Sequence, residues 1–202
     1  MIAKIKQFGL IYSVIRGIKK VLRIIGLNKE TYLLYVKNSG VNGNSPKLDD
    51  KYRVAEINNI GELINSKFNF SSKKIDIFKC RLNQNGYRCF AVMRDNRIVY
   101  YCWVSSEKFE SPGGGGFKKL EESQGLLLDA MCHSSERGSG IHTYMNYYRC
   151  KHLFDLGKKE ALVLILRENI PAIRSQENVG FRFLEKLTFV SVFGKRYVTI
   201  SK

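Results

Sequence analysis

The sequence predicts a mixed α/β domain, and three observations carry that prediction. Two nearly continuous apolar runs, GLLLDAMC (125–132) and EALVLILRE (160–168), bracket a stretch, 141–156, whose apolar residues recur at helical spacing. Strand, helix, strand in that order reads as a parallel segment of sheet. Earlier, YRCFAVMR (87–94) and RIVYYCWVSS (97–106) meet across Asp95-Asn96, which is hairpin spacing with hairpin turn chemistry. The chain closes on RFLEKLTFVSVFGKRYVTI (182–200), a strand pair around Gly194.

The elements follow in order. Residues 1–28 place Ile5, Phe8, Ile11, Ile15, Ile18, Leu22 and Ile25 at helical spacing, with Lys4, Lys6, Arg16, Lys19, Lys20 and Arg23 between them and no acidic residue. This segment is expected to be a basic amphipathic helix, set apart from a main domain over 29–202. It either packs on the body with a solvated basic face or lies on an anionic bilayer, where each basic residue adds about 1 kcal/mol. The lack of acids favours the bilayer. TYLLYV (31–36) reads as a strand, 37–51 as a polar loop, and Val54 to Ser66 as a helix with Val54, Ile57, Ile60, Leu63 and Ile64 on one face. SPGGGGFKK (111–119) lacks the Gly-Lys-Ser/Thr of a P-loop and reads as a mobile surface loop. After the central unit, Ile170 to about Val179 reads as a short helix.

Composition narrows the partners without choosing one. The 202 residues fit one domain of ordinary size, and 34 Lys plus Arg against 18 Asp plus Glu leave a formal charge of +16. Anionic partners are favoured: phosphorylated small molecules, an acidic membrane or nucleic acid. Nucleic acid is the weakest of these, because no binding motif is present and the basic residues outside 1–28 are dispersed. Cys80, Cys89, Cys102, Cys132 and Cys150 form no CxxC, so neither a disulfide framework nor a metal site is expected, and a reducing cytoplasm suits them. The longest N-terminal apolar run, FGLIYSVI, stops at Arg16, which is short for a signal peptide with no cleavage site following, and no stretch approaches the roughly 18–20 apolar residues of a membrane span.

Chemistry concentrates in CHSSERGSGIHTYMN (132–146). A helix starting near Gly140 presents unpaired N–H groups and the positive end of its dipole. Gly138 and Gly140 carry no side chains, so an anion can approach those amides, and Arg137 adds charge. This is a phosphate or pyrophosphate site. A Rossmann loop is excluded, since the third glycine position is Thr143. Cys132 and His133 point to opposite strand faces and make no nucleophile pair.

The stretch Arg137-Gly-Ser-Gly140-Ile-His142 resembles the acetyl-CoA loop of the GNAT acyltransferases, Arg/Gln-x-x-Gly-x-Gly/Ala. Downstream, Asn169-Ile-Pro-Ala172 followed by Gly180-Phe181 resembles the Asn-x-x-Ala…Gly-Phe segment of that superfamily. The likeness covers about 85–202 well and 30–84 loosely, and it implies a GNAT-like mixed sheet flanked by helices, with residues 1–28 as an extra N-terminal helix. It also implies acetyl-CoA as co-substrate, with its pyrophosphate on the amides of Arg137, Gly138, Ser139, Gly140, Ile141 and His142. Its pantetheine arm would pair along Met131, Cys132 and His133, and Asn169 and Ala172 would flank its far end. His142 stands at a small-residue position, and its side chain is expected to turn outward.

The implied activity is N-acetyl transfer to a primary amine. For the base, strand alternation puts Asp129, Met131 and His133 on one face, making Asp129 and His133 a candidate pair. For the acid, the resemblance puts Gln176 where many relatives carry a tyrosine, and an amide cannot donate a proton at neutral pH. Tyr144 and Ser175 are the alternatives. The expected acceptor is an anionic small-molecule amine, an amino-sugar nucleotide or an envelope polysaccharide precursor. Two readings stand: a cytoplasmic enzyme, peripheral on the inner membrane face and compatible with a homodimer, or a GNAT-like module that binds acyl-CoA with little catalysis.

Overall fold

The computed structural model describes residues 26–40, 46–66, 68–111 and 117–202. The expected N-terminal helix up to residue 25 and the glycine run 112–116 lie outside the described residues. The chain runs β1 (Leu27–Asn38), β2 (Arg53–Ile57), α1 (Ile60–Ile64), α2 (Ser72–Leu82), β3 (Tyr87–Arg94), β4 (Arg97–Ser105), β5 (Lys108–Glu110) and β6 (Phe117–Lys119). It continues as β7 (Gln124–Cys132), α3 (Ile141–Asp155), β8 (Glu160–Leu166), α4 (Ile170–Asn178), β9 (Arg182–Val192) and β10 (Lys195–Ser201).

Eight strands form one mixed sheet in the order β10-β9-β1-β8-β7-β4-β3-β2, and β5 and β6 pair separately. The parallel segment is β7 against β8, as the apolar runs predict. Asp95 and Asn96 both sit at positive φ, the left-handed pair that a two-residue hairpin turn demands between β3 and β4.

Helices cover both faces. On one, α3 and α4 pack Ile141, Met145, Leu153 and Ile173 against Tyr100, Leu127, Val163 and Ile165. On the other, α1 and α2 pack Leu63 and Phe78 against Ile98, Tyr101 and Trp103. A third cluster joins Leu34, Val36, Leu126, Leu162 and Leu187. Gly125 lets α3 lie close on β7: a Cβ there would stand 2.6 Å from Leu153 Cδ2. Among the described residues no helix is long and apolar enough to cross a membrane.

The structure departs from the sequence pattern at two elements. The helix over Val54–Ser66 divides: Arg53–Ile57 is a strand paired with β3, and α1 begins only at Ile60. Asn59 caps it by accepting from the Gly61 amide, and Glu62 reaches back to the Asn59 amide. Helix α2, capped by Ser71, is not among the elements that the sequence predicts. Strand β1, from Leu27, occupies the sheet interior between β8 and β9.

Candidate active site

Strands β7 and β8 hold register only from Gln124↔Glu160 to Leu127↔Val163, although both continue beyond. The cause lies in β7. Trp103 pairs with Leu128 and Tyr101 with Met131, so Asp129 and Ala130 both stand opposite Cys102, and Asp129 takes a positive φ of 32°. An inserted residue bends its strand, and here the bend carries β7 away from β8. The wedge opens into a cleft of about 650 Å³. One side is walled by α3 and α4 through His142, Arg149, Asn169, Ala172 and Gln176, the other by α2 through Lys74, Ile77 and Arg81. The cleft therefore passes from one face of the sheet to the other.

The loop that leads into α3 is held from below. His133 caps a single 3-10 turn, Ser134–Glu136. Glu136 is buried and accepts from the Tyr52 hydroxyl at 2.7 Å, Arg94 Nη1 at 3.1 Å and Ser135 Oγ at 3.1 Å. The Tyr52 hydrogen bond foremost keeps its carboxyl below the usual range. Ser139 Oγ donates to the Glu136 carbonyl at 2.5 Å. Above this clasp, Gly138 and Gly140 adopt φ of 84° and 79°, and a Cβ on either would meet nothing within 4 Å. Gly140 is the N-cap of α3 and supplies no side-chain acceptor, which leaves the first-turn N–H groups to a ligand. With Arg137 exposed beside it, this open stretch of backbone at a helix's positive end is chemically suited to an anion such as a pyrophosphate.

His142 corrects an expectation. Its side chain turns inward, not outward, with Nδ1 2.9 Å from the Tyr100 hydroxyl, and it lines the cleft. Burial, with help from the Arg149 charge, pushes its pKa down to about 4. An unfolded histidine takes a proton near 6.5. Between those values the unfolded chain binds more protons, so stability falls as pH drops through the window. The full difference is about 3 kcal/mol. His142→Phe is expected to flatten urea-unfolding stability between pH 6.5 and about 4. His152, also pushed down by burial, leaves a residual slope.

The other expected residues separate. Asp129 does not meet His133: its carboxylate binds Lys74 Nζ at 2.5 Å and Arg81 Nη1 at 2.6 Å, and these cations hold its pKa down against burial. His133 Nδ1 instead lies 2.8 Å from Ser135 Oγ, with its ring edge-on to Phe68. Tyr144 packs on the core stacked against Tyr148, and His142 and Arg149 take the α3 positions on the cleft wall. Met131 is exposed, and burial raises the Cys132 thiol to about 11, which leaves it inert. Asn169 and Ala172 both reach the cleft, as does Gln176, which is 3% exposed. Among the described residues no three His, Cys, Asp or Glu side chains gather as a metal site.

No family model matches the chain and no curated protein matches it, whereas solved structures do. A Drosophila protein aligns at a TM-score of 0.62 and 7% identity, over 91% of this chain and 59% of its own. A GNAT-family acetyltransferase from Colwellia psychrerythraea aligns at 0.58 and 11%, over 87% and 61%. AAC(6')-Iy, solved with the bisubstrate analogue CoA-S-monomethyl-acetylneamine, aligns at 0.52 and 12%, over 65% of this chain and 90% of its own. At such identities the likeness is one of fold: the chain has the GNAT acetyltransferase fold. It spans about three fifths of the first two structures.

Proposed function

We propose that the chain transfers an acetyl group from acetyl-CoA to a primary amine. The observation that carries this reading is the cleft itself, which reaches from His142, in the first turn of α3, to the charged side chains of α2. The amides of 137–142 would hold the pyrophosphate, the backbone of Met131 to His133 would pair with the pantetheine arm, and Asn169 and Ala172 would flank it. Bound acetyl-CoA supplies an activated acyl carbon. Leu127, Val163 and Ile165 line part of the channel with apolar side chains.

The amine would enter from the α2 side, where Asp129 is a weak base because two cations hold it ionised. The amine therefore loses its proton to water. Turnover is expected to rise with pH up to the acceptor's own amine pKa, and a limb fixed near pH 4 to 6.5 for every acceptor would contradict this. The acceptor we favour is anionic, an amino-sugar nucleotide or envelope polysaccharide precursor, met at the inner membrane face. The +16 charge and the acid-free segment 1–28 support that choice.

A second reading is an acyl-CoA-binding module without efficient chemistry, favoured by buried Gln176 at the relatives' acid position. Thiol release from acetyl-CoA across a panel of amino sugars and their nucleotides separates the two. Release with any acceptor supports the enzyme, and stabilisation by acetyl-CoA without release supports the binder.

A further inference from the structure

Arg149 lies eight residues along α3 from Ile141, about 12 Å at 1.5 Å per residue, which puts it below the anion cradle where β7 and β8 begin to part. It lines the cleft and is 1% exposed. Its Nη1 donates to the carbonyls of Leu128 at 3.2 Å and Trp103 at 3.4 Å, its Nη2 donates to Asn146 Oδ1, and its Nε has no partner. Every acceptor is neutral. Among the described residues no carboxylate pairs with Arg149, and Asp129, next to Leu128, is bound to Lys74 and Arg81 instead.

A buried cation without a counter-ion is heavily penalised, and such charges recur where a site must meet an anion. The field of Arg149 acts on its neighbours on α3 and β4: it depresses His142 further and works against burial at Tyr100, Cys102 and Cys150. On the α2 side, Lys74 and Arg81 are matched by Asp129 and Glu110, so that cluster offers no net charge. On the same wall of the cleft, Gln176 has an unpartnered Oε1 and no acidic proton to give.

We propose that Arg149 takes the place of a proton donor by stabilising the coenzyme A thiolate as it leaves. This rests on the acetyl-transfer reading. In the step, the acceptor nitrogen bonds to the acetyl carbon and the carbon–sulfur bond breaks. The electron pair stays on sulfur, and the nitrogen's proton passes to water.

The test is a pH titration of the bound coenzyme A thiol, followed by thiolate ultraviolet absorbance, with binding measured separately by calorimetry. In the wild-type protein the bound thiol is expected to titrate at least about one unit below free coenzyme A, a tenfold shift in its ionisation. Arg149→Met should return it to the free value while still binding, and Arg149→Lys should keep most of the shift. A bound thiol that titrates like the free one, or an Arg149→Met variant with an undiminished shift, overturns the proposal. If Arg149→Met does not fold, Arg149→Gln serves as the neutral variant, and an unshifted wild-type thiol is decisive alone. Failure of the wild-type protein to bind coenzyme A sinks the acetyl-transfer reading as well.

Discussion

Arg81→Met is expected to destabilise the protein by about 3–5 kcal/mol, the range for removing one partner of a buried ion pair. Arg81 is 5% exposed on α2 and carries two carboxylates. Its Nε and Nη2 hold Glu110 on β5, and its Nη1 holds Asp129 in the β7 bulge at 2.6 Å. Its guanidinium also lies 5.3 Å from the Trp103 ring, so the side chain is locked by packing as well as charge. Without it, Glu110 loses its ion pair and Asp129 keeps only Lys74. Urea unfolding reads the loss directly. Adding Asp129→Asn and Glu110→Gln to Arg81→Met should recover part of it, since the stranded charges go. A loss under about 1 kcal/mol would mean that the cluster does not hold the bulge. Because Asp129 is held below its ordinary 3.8, its share is present above that pH and disappears as pH falls further.

Gly140→Val is expected to weaken coenzyme A binding by about 100-fold, the equivalent of one or two charge-assisted amide hydrogen bonds. The reason is conformation rather than crowding. There is open space around a Cβ at this position, but φ is 79°, a region that β-branched residues scarcely enter. The loop must then refold away from the geometry that aims its amides, at a cost of about 1–3 kcal/mol to the protein itself. Gly140→Asn tests this distinction. Asparagine tolerates the left-handed region, so folding should be nearly intact while binding falls by a smaller factor. Equal binding by wild type and Gly140→Val would remove the loop from the account.

Some of this was legible in the residues, and the failures have physical causes. Apolar continuity marks β7 and β8, and Asp95-Asn96 marks the hairpin, because these signals are local. Val54 and Ile57, three apart, satisfy a helical face and a short strand equally well, and only the pairing of β2 with β3 decides between them. The loop was legible because glycines at a helix start report a backbone requirement. The bulge was not: pairing Asp129 with His133 assumes strict alternation, and one inserted residue redirects Asp129 to α2. Arg149 carries no sequence signal because its partners are mainly carbonyls, and the clasp of Tyr52, Arg94 and Glu136 joins residues up to 84 positions apart.

The proposed acetyl transfer requires that the β7–β8 wedge and the start of α3 hold a coenzyme A thioester. The decisive measurement is thermal or urea unfolding of the full chain with and without acetyl-CoA, with Gly140→Val in parallel. Saturating acetyl-CoA, at about 100 times its dissociation constant, is expected to stabilise the wild-type protein by about 2.7 kcal/mol and the variant by far less. An unfolding curve that acetyl-CoA leaves unmoved in the wild-type protein would contradict it.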